Sequence, residues 1–196
     1  MPKISIIVPV YNPGEWLHEC MHSVLAQDIN DIEVVCVDDG STDGSLDRLN
    51  EYATRDNRVK VFSQPNSGAA VARNKGIDEA KGEFVAFMDP DDYYPDAHVL
   101  SILYDKANAN SVDICGGCMM QFYPDGRKIE HYSGLNSGYE FQEEGIIEYS
   151  AYQFEYGYTR FIYRRGLIDD WKVRFPLFLR FQDPPFFVES MQRAKR

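Results

Sequence analysis

Acidic pairs at the ends of apolar runs are the first features of this chain that could do chemistry. Asp89-Pro90-Asp91-Asp92 follows the apolar run 83–88, and Asp38-Asp39 follows the run 32–37. Two carboxylates bracketing a turn can meet one hard cation, and Mg²⁺ or Mn²⁺ prefers such oxygen ligands together with substrate phosphates. Pro90 fixes the turn between Asp89 and Asp91. The plainer role for these acids is to cap the next helix, with Asp92 or Asp96 starting the one after residue 97. Asp38-Asp39 is surplus to capping, because Ser41, Thr42 and Asp43 already suffice for the helix that follows. A strand-terminal acid of this kind can accept hydrogen bonds from a base N–H or a ribose hydroxyl.

A third acid, Asp183, stands among Phe181, Pro184, Pro185, Phe186 and Phe187. An apolar rim hinders ionisation and raises a carboxyl pKa towards that of a useful base. The alternative is that Asp183 caps the last helix, with Pro184 at its first position. His18 and His22 have the i,i+4 spacing of zinc ligands but no third partner, and read as helix-surface residues. Cys115-x-x-Cys118 reads as structural, since i and i+3 of a strand point to opposite faces. No G-x-G-x-x-G follows the first apolar run and no G-x-x-x-x-G-K-[ST] occurs, so hydride-transfer and P-loop chemistry are disfavoured. Phosphate handling falls to a metal and to Arg73 or Lys75.

These residues need a frame. Apolar runs at 4–10, 32–37, 59–62 and 83–88 alternate with helical patterns at 15–26, 45–52, 68–80 and 97–109. Strands apolar on both faces and separated by helices predict an α/β fold with a mostly parallel sheet covered on both sides. In such sheets ligands bind beyond the carboxyl ends of the strands, where residues 9–12, 38–43 and 89–92 gather. Residues 113–122 read as a further strand, 124–126 as a turn and 127–132 as the returning strand of a hairpin. The last stretch, 184–196, starts as a helix and stops without a capping signal, as a truncated chain would.

The chain has 196 residues, 44% hydrophobic and 14% aromatic, with net charge −11 from 31 acids and 20 bases. One core is expected. The acidity disfavours nucleic-acid binding. It also repels anionic membranes unless bases segregate on one face. Arg160, Arg164, Arg165, Lys172, Arg174 and Arg180 are the one hint of that, and of peripheral membrane association. With no secretory leader and no apolar stretch of about 20 residues, a cytoplasmic location is expected, extending to the inner face of the membrane.

KISIIVPVYN at 3–12, VDDGSTDGS at 37–45, NSGAAVARN at 66–74 and FMDPDD at 87–92 together resemble the successive signatures of family 2 inverting glycosyltransferases. The match is specific over residues 3–98 and recognisable again over 158–187. The resemblance implies the GT-A fold, with a nucleotide-sugar-binding half at 1–98 and a smaller, antiparallel acceptor-side half at 99–196. It implies a hexosyl- or hexosaminyltransferase acting on a nucleotide-sugar donor, with a uracil-type base, and on a glycan or lipid-linked acceptor, as in enzymes of bacterial surface polysaccharides. By resemblance, Pro9, Tyr11 and Asn12 with Asp38 and Asp39 hold the base and ribose. Asp89 faces the ribose and diphosphate, Asp91 holds Mn²⁺ or Mg²⁺, and Asp183 is the catalytic base. The family usually has Glu before that base, where this chain has Gln182. The Gln-x-x-Arg-Trp motif of processive members does not occur by residue 196, which leaves addition of single sugars or a motif lying further on. Two rivals remain. A non-catalytic donor-binding module would lack a complete acceptor site. A nucleotidyltransferase would want a glycine-rich basic loop after the first strand, which residues 9–14 do not offer.

Overall fold

The computed structural model describes residues 1–123 and 125–194. Pro124, the first residue of the expected 124–126 turn, lies outside them, as do Lys195 and Arg196 at the end of the expected last helix. The β/α alternation forms as read. β1 (Ile4–Val10), α1 (Trp16–Leu25), β2 (Ile32–Asp38), α2 (Ser45–Arg55), β3 (Val59–Ser63), α3 (Ala69–Glu79), β4 (Phe84–Phe87) and α4 (Val99–Ala109) follow in order. The second half adds β5 (Ile114–Gly116), β6 (Gln121–Phe122), β7 (Lys128–Ile129), α5 (Tyr149–Tyr152), β8 (Phe161–Arg164), α6 (Arg165–Trp171) and α7 (Asp183–Arg193).

Six strands make one sheet in the order β3-β2-β1-β4-β8-β5. The first four are parallel, whereas β8 runs antiparallel to both β4 and β5. Every residue of β1, β2 and β4 is buried, as a sheet covered on both faces requires. Alternate residues feed two cores. Ile4, Ile6 and Val8 pack with Leu17, Met21 and Val24 of α1 and Leu100 of α4. On the other face Ile7, Val35 and Phe87 pack with Ala70 and Ile77 of α3, Ile168 of α6 and Phe186 and Phe187 of α7. The sheet joins the two sequence halves, because β8 pairs with β4 directly.

The single strand expected over 113–122 is instead two. β5 ends at Gly116, opposite Phe161, the first residue of β8. One more bond, from Gly117 N–H to Arg160 O, carries the pairing onto the 3₁₀ turn Tyr158–Arg160, where the strand conformation stops. β6 then pairs only with β7 as the expected hairpin. Cys118 therefore lies beyond the strand, and the opposite-face argument for the Cys115 and Cys118 pair does not apply. Cys115 instead packs at the edge of a core, and Cys118 hydrogen-bonds the Phe141 backbone.

Candidate functional site

Parallel register brings the acidic strand ends together. Val10 pairs with Asp38 and Ile7 with Phe87, so residues 9–12, 38–39 and 88–91 leave the sheet at one edge. A cavity of about 310 Å³ opens there. Pro9, Tyr11, Asp39, Arg73, Asp89 and Asp91 line it with Asn66 and Gly68. Six residues singled out from the sequence thus meet in one concavity, but Asn12, Asp38 and Asp183 are not in its wall.

Each acid has a different job. Asp38 is buried and tied into its own turn, accepting from the backbone N–H groups of Gly40 (3.3 Å) and Ser41 (3.2 Å) and from Ser63 Oγ (3.2 Å). Asp39 reaches across to the β3–α3 loop. Its Oδ1 accepts from Ser67 N (2.8 Å) and Gln64 Nε2 (2.7 Å), and its Oδ2 from Gly68 N (2.8 Å). One lone-pair direction on Oδ2 stays open to a ligand. Asn12, at φ 47°, accepts from Thr42 N through its side chain and pins the β1 turn to the β2 turn.

Arg73 is the centre of the arrangement. It arises from the second turn of α3, and its guanidinium is buried over the rings of Tyr158 and Phe175. Nη2 donates to Asp89 Oδ1 at 2.8 Å, while Nη1 lies 3.5 Å from Asp183 Oδ1 and donates to Gln182 Oε1 at 3.3 Å. Tyr158 Oη donates to the same Asp89 oxygen at 3.1 Å. Arg73, expected to handle phosphate together with a metal, has its guanidinium paired with the carboxylates of Asp89 and Asp183. Lys75, the other candidate, turns away and donates to Ser63 O. Tyr158 went unnoticed as a site residue because a lone tyrosine 69 residues from its partner leaves no spacing signal.

Asp183 does not cap α7. Gln182 occupies the cap position without a side-chain cap bond, and the Asp183 carboxylate faces Arg73 instead. Burial pushes its pKa up, Arg73 opposes the shift and Asp89 adds to it. The neighbouring rings form no rim: Phe181 projects into solvent and Phe186 and Phe187 lie in the core. The desolvation comes from packing at the helix start, not from sequence neighbours.

Asp91 is exposed, and among the described residues no hydrogen bond or ion pair holds its carboxylate. Beside it, burial and the charges of Asp89 and Asp91 push Asp92 up to about 6. Such crowding is relieved by a cation. No group of three or more His, Cys, Asp or Glu side chains among the described residues could hold a metal ion unaided. One free carboxylate with Asp89 nearby nonetheless fits Mg²⁺ or Mn²⁺, which take most of their ligands from water and substrate phosphates. The acids offered as helix caps behave differently: Asp96 accepts from His98 N just before α4, and Asp43 from Ser45 N and Gly14 N. His18 is engaged by Tyr52 Oη on the surface of α1 and α2. No helix among the described residues is long and apolar enough to cross a membrane.

Known proteins share this frame. The family model described as Glycosyl transferase family 2 matches residues 5–171. EpsJ of Bacillus subtilis (strain 168), described as an uncharacterized glycosyltransferase, is 33% identical over all of this chain and 58% of its own length. A poly(ribitol-phosphate) beta-glucosyltransferase of Bacillus spizizenii is 32% identical over 99% of this chain and 30% of its own. The crystal structure of S. aureus TarS in complex with UDP-GlcNAc superposes with a TM-score of 0.84 at 28% identity, covering 99% of this chain and 54% of that one. The chain thus spans between about a third and little more than half of these relatives. Matched along most of its length in sequence and in fold, the protein belongs to glycosyl transferase family 2 and has the GT-A fold.

Proposed function

We propose that this chain carries the donor site and catalytic centre of an inverting glycosyltransferase. It would move one sugar from a nucleotide diphosphate, a UDP-sugar, to a hydroxyl of a glycan or lipid-linked acceptor, assisted by Mn²⁺ or Mg²⁺. The observation that carries this reading is the bridge Asp89–Arg73–Asp183 at the rim of the strand-end cavity, with Asp91 left free beside it. The relatives' names support it: one solved structure of TarS holds UDP-GlcNAc, and another relative is a poly(ribitol-phosphate) beta-glucosyltransferase.

Residues 1–98 hold the donor and residues 99–196 contribute the acceptor side. Tyr11 offers an exposed ring for the base to stack on, and the open Asp39 lone pair accepts a base or ribose proton. Asp89, fixed by Arg73 and Tyr158, faces the ribose and diphosphate. Asp91 would hold the divalent cation, which would supply positive charge to the departing diphosphate. Asp183 takes the proton from the acceptor hydroxyl as that oxygen bonds to the sugar C1. The C1–O bond to the diphosphate breaks with its electron pair on the phosphate oxygen. Base and leaving group lie on opposite faces of the sugar, so the anomeric configuration inverts.

Calorimetry with UDP-sugars in Mn²⁺ and in EDTA, paired with a transfer and donor-hydrolysis assay, tests the reading. Equal affinity with and without metal would remove the metal from it. The rival reading is a donor-binding module without turnover. Metal-dependent binding with neither transfer nor hydrolysis is that rival's signature.

A further inference from the structure

The loop between Phe175 and α7 is built unlike the rest of the surface. Leu177, Phe178, Leu179 and Phe181 are all exposed, Leu179 by 99%, so four of five consecutive residues project large apolar side chains into solvent. Soluble proteins scatter such residues singly; a run of them marks a contact surface. Phe181 is held at φ 59°, a left-handed conformation that a bulky residue adopts at a cost. Just N-terminal to the loop, Trp171 is exposed as well, with the Arg193 guanidinium over its ring at 4.6 Å.

Charge is segregated with it. Residues 171–182 contain Lys172, Arg174 and Arg180 and no Asp or Glu, in a chain with 31 acids. Of the six bases noted in the sequence, four are spent inside the fold. Arg160 is buried under backbone carbonyls, Arg164 meets Glu83, Arg165 meets Asp169 and Arg174 meets Asp78. Lys172 and Arg180 have no ion pair among the described residues. An apolar loop that carries Arg180 and follows Lys172, two cations without an ion pair among the described residues, has the chemistry that an anionic lipid surface attracts.

We propose that Leu177, Phe178, Leu179 and Phe181 insert into the interfacial region of an anionic membrane, with Lys172 and Arg180 against its headgroups. The loop ends at Gln182-Asp183, so docking there would set the Arg73-bound Asp183 close to the membrane surface. The inference stands on exposure and charge and does not depend on the glycosyl-transfer reading.

Co-sedimentation of the chain with phosphatidylglycerol–phosphatidylcholine vesicles and with pure phosphatidylcholine vesicles tests it. The expected result is binding to the anionic vesicles, weakened by salt and reduced at least about tenfold by Leu179→Asp with Phe181→Asp. Lys172→Gln with Arg180→Gln should weaken it by more than about tenfold, at roughly fivefold for each charge near the surface. All four side chains are exposed, so melting temperatures should stay close to the parent's, and analytical ultracentrifugation supplies the remaining control. No binding, equal binding by the Leu179→Asp, Phe181→Asp variant, or equal affinity for neutral vesicles would overturn the proposal. So would a self-associating parent that the same variant converts to monomer, which would make the loop a protein–protein contact.

Discussion

At the residue scale, Asp183 and Asp91 separate by what each carboxylate already touches. Among the described residues the Asp183 carboxylate has one ion-pair partner, Arg73, at 3.5 Å, and it is held at the start of α7 by the backbone rather than by a capping bond. Asp183→Asn should therefore leave fold and donor affinity intact and lower transfer by about 10²–10⁴-fold, the usual worth of a general base. Transfer within a few-fold of the parent, with donor binding intact, would remove Asp183 from the mechanism. Its pKa is raised by burial, and a base works only when ionised. Activity should thus fall on the acid side at a higher pH than an unperturbed aspartate base would give, and a pH–rate profile reads this directly. Asp91→Ala removes an exposed, unbonded carboxylate and should change stability by no more than about 0.5 kcal/mol. Donor binding in Mn²⁺ should drop to its level in EDTA. A variant that unfolds would make Asp91 structural.

At the element scale, α3 decides where Arg73 stands, and α3 lies unusually close to the sheet. A Cβ placed on Gly76 would sit 2.3 Å from Ile7 Cγ2, a buried methyl of β1. Two effects oppose each other in Gly76→Ala. Helix propensity favours alanine by about 0.5–1 kcal/mol, while overpacking a tight core costs about 1–3 kcal/mol. At 2.3 Å the overlap must be relieved by moving the helix or the strand, so the cost prevails. The variant should lose on the order of 1 kcal/mol, a drop of about 2–4 °C in melting temperature for a domain of this size. Because Arg73 is three residues away, donor affinity should fall with it; a variant as stable as the parent would show that α3 can slide without penalty.

At the scale of the whole molecule, the site is assembled from both ends of the chain. Asp39, Arg73 and Asp89 come from the four parallel strands and their helices, while Tyr158 and Asp183 arrive from beyond β5. A donor that binds this assembled site and not the unfolded chain should stabilise the fold. At a hundred times its Kd, such a ligand adds about 2.7 kcal/mol. In thermal melts, UDP-sugar with Mn²⁺ should raise the midpoint by about 5–10 °C, and UDP-sugar in EDTA by much less. Equal shifts in both would count against metal-linked binding.

The sequence by itself determined the frame. The runs 4–10 and 32–37, apolar but for Ser5 and Glu33, read as strands buried on both faces, and the helical patterns between them point to a parallel sheet. Once strands are parallel, their carboxyl ends share an edge, so Pro9, Asp39 and Asp89 had to meet. These are local rules, readable within a window of some ten residues. What only the tertiary structure decided lies at long range. Arg73 meets Asp183 across 110 residues of chain, β8 inserts beside β4, and Asp38 turns inward while Asp39 faces the cavity. The strand expected over 113–122 broke for the same reason, since its partner β8 begins only after a turn that no residue near Gly116 announces. Pairing and charge partnership depend on which segments the folded core leaves adjacent, and that is a property of the packed chain, not of any window within it.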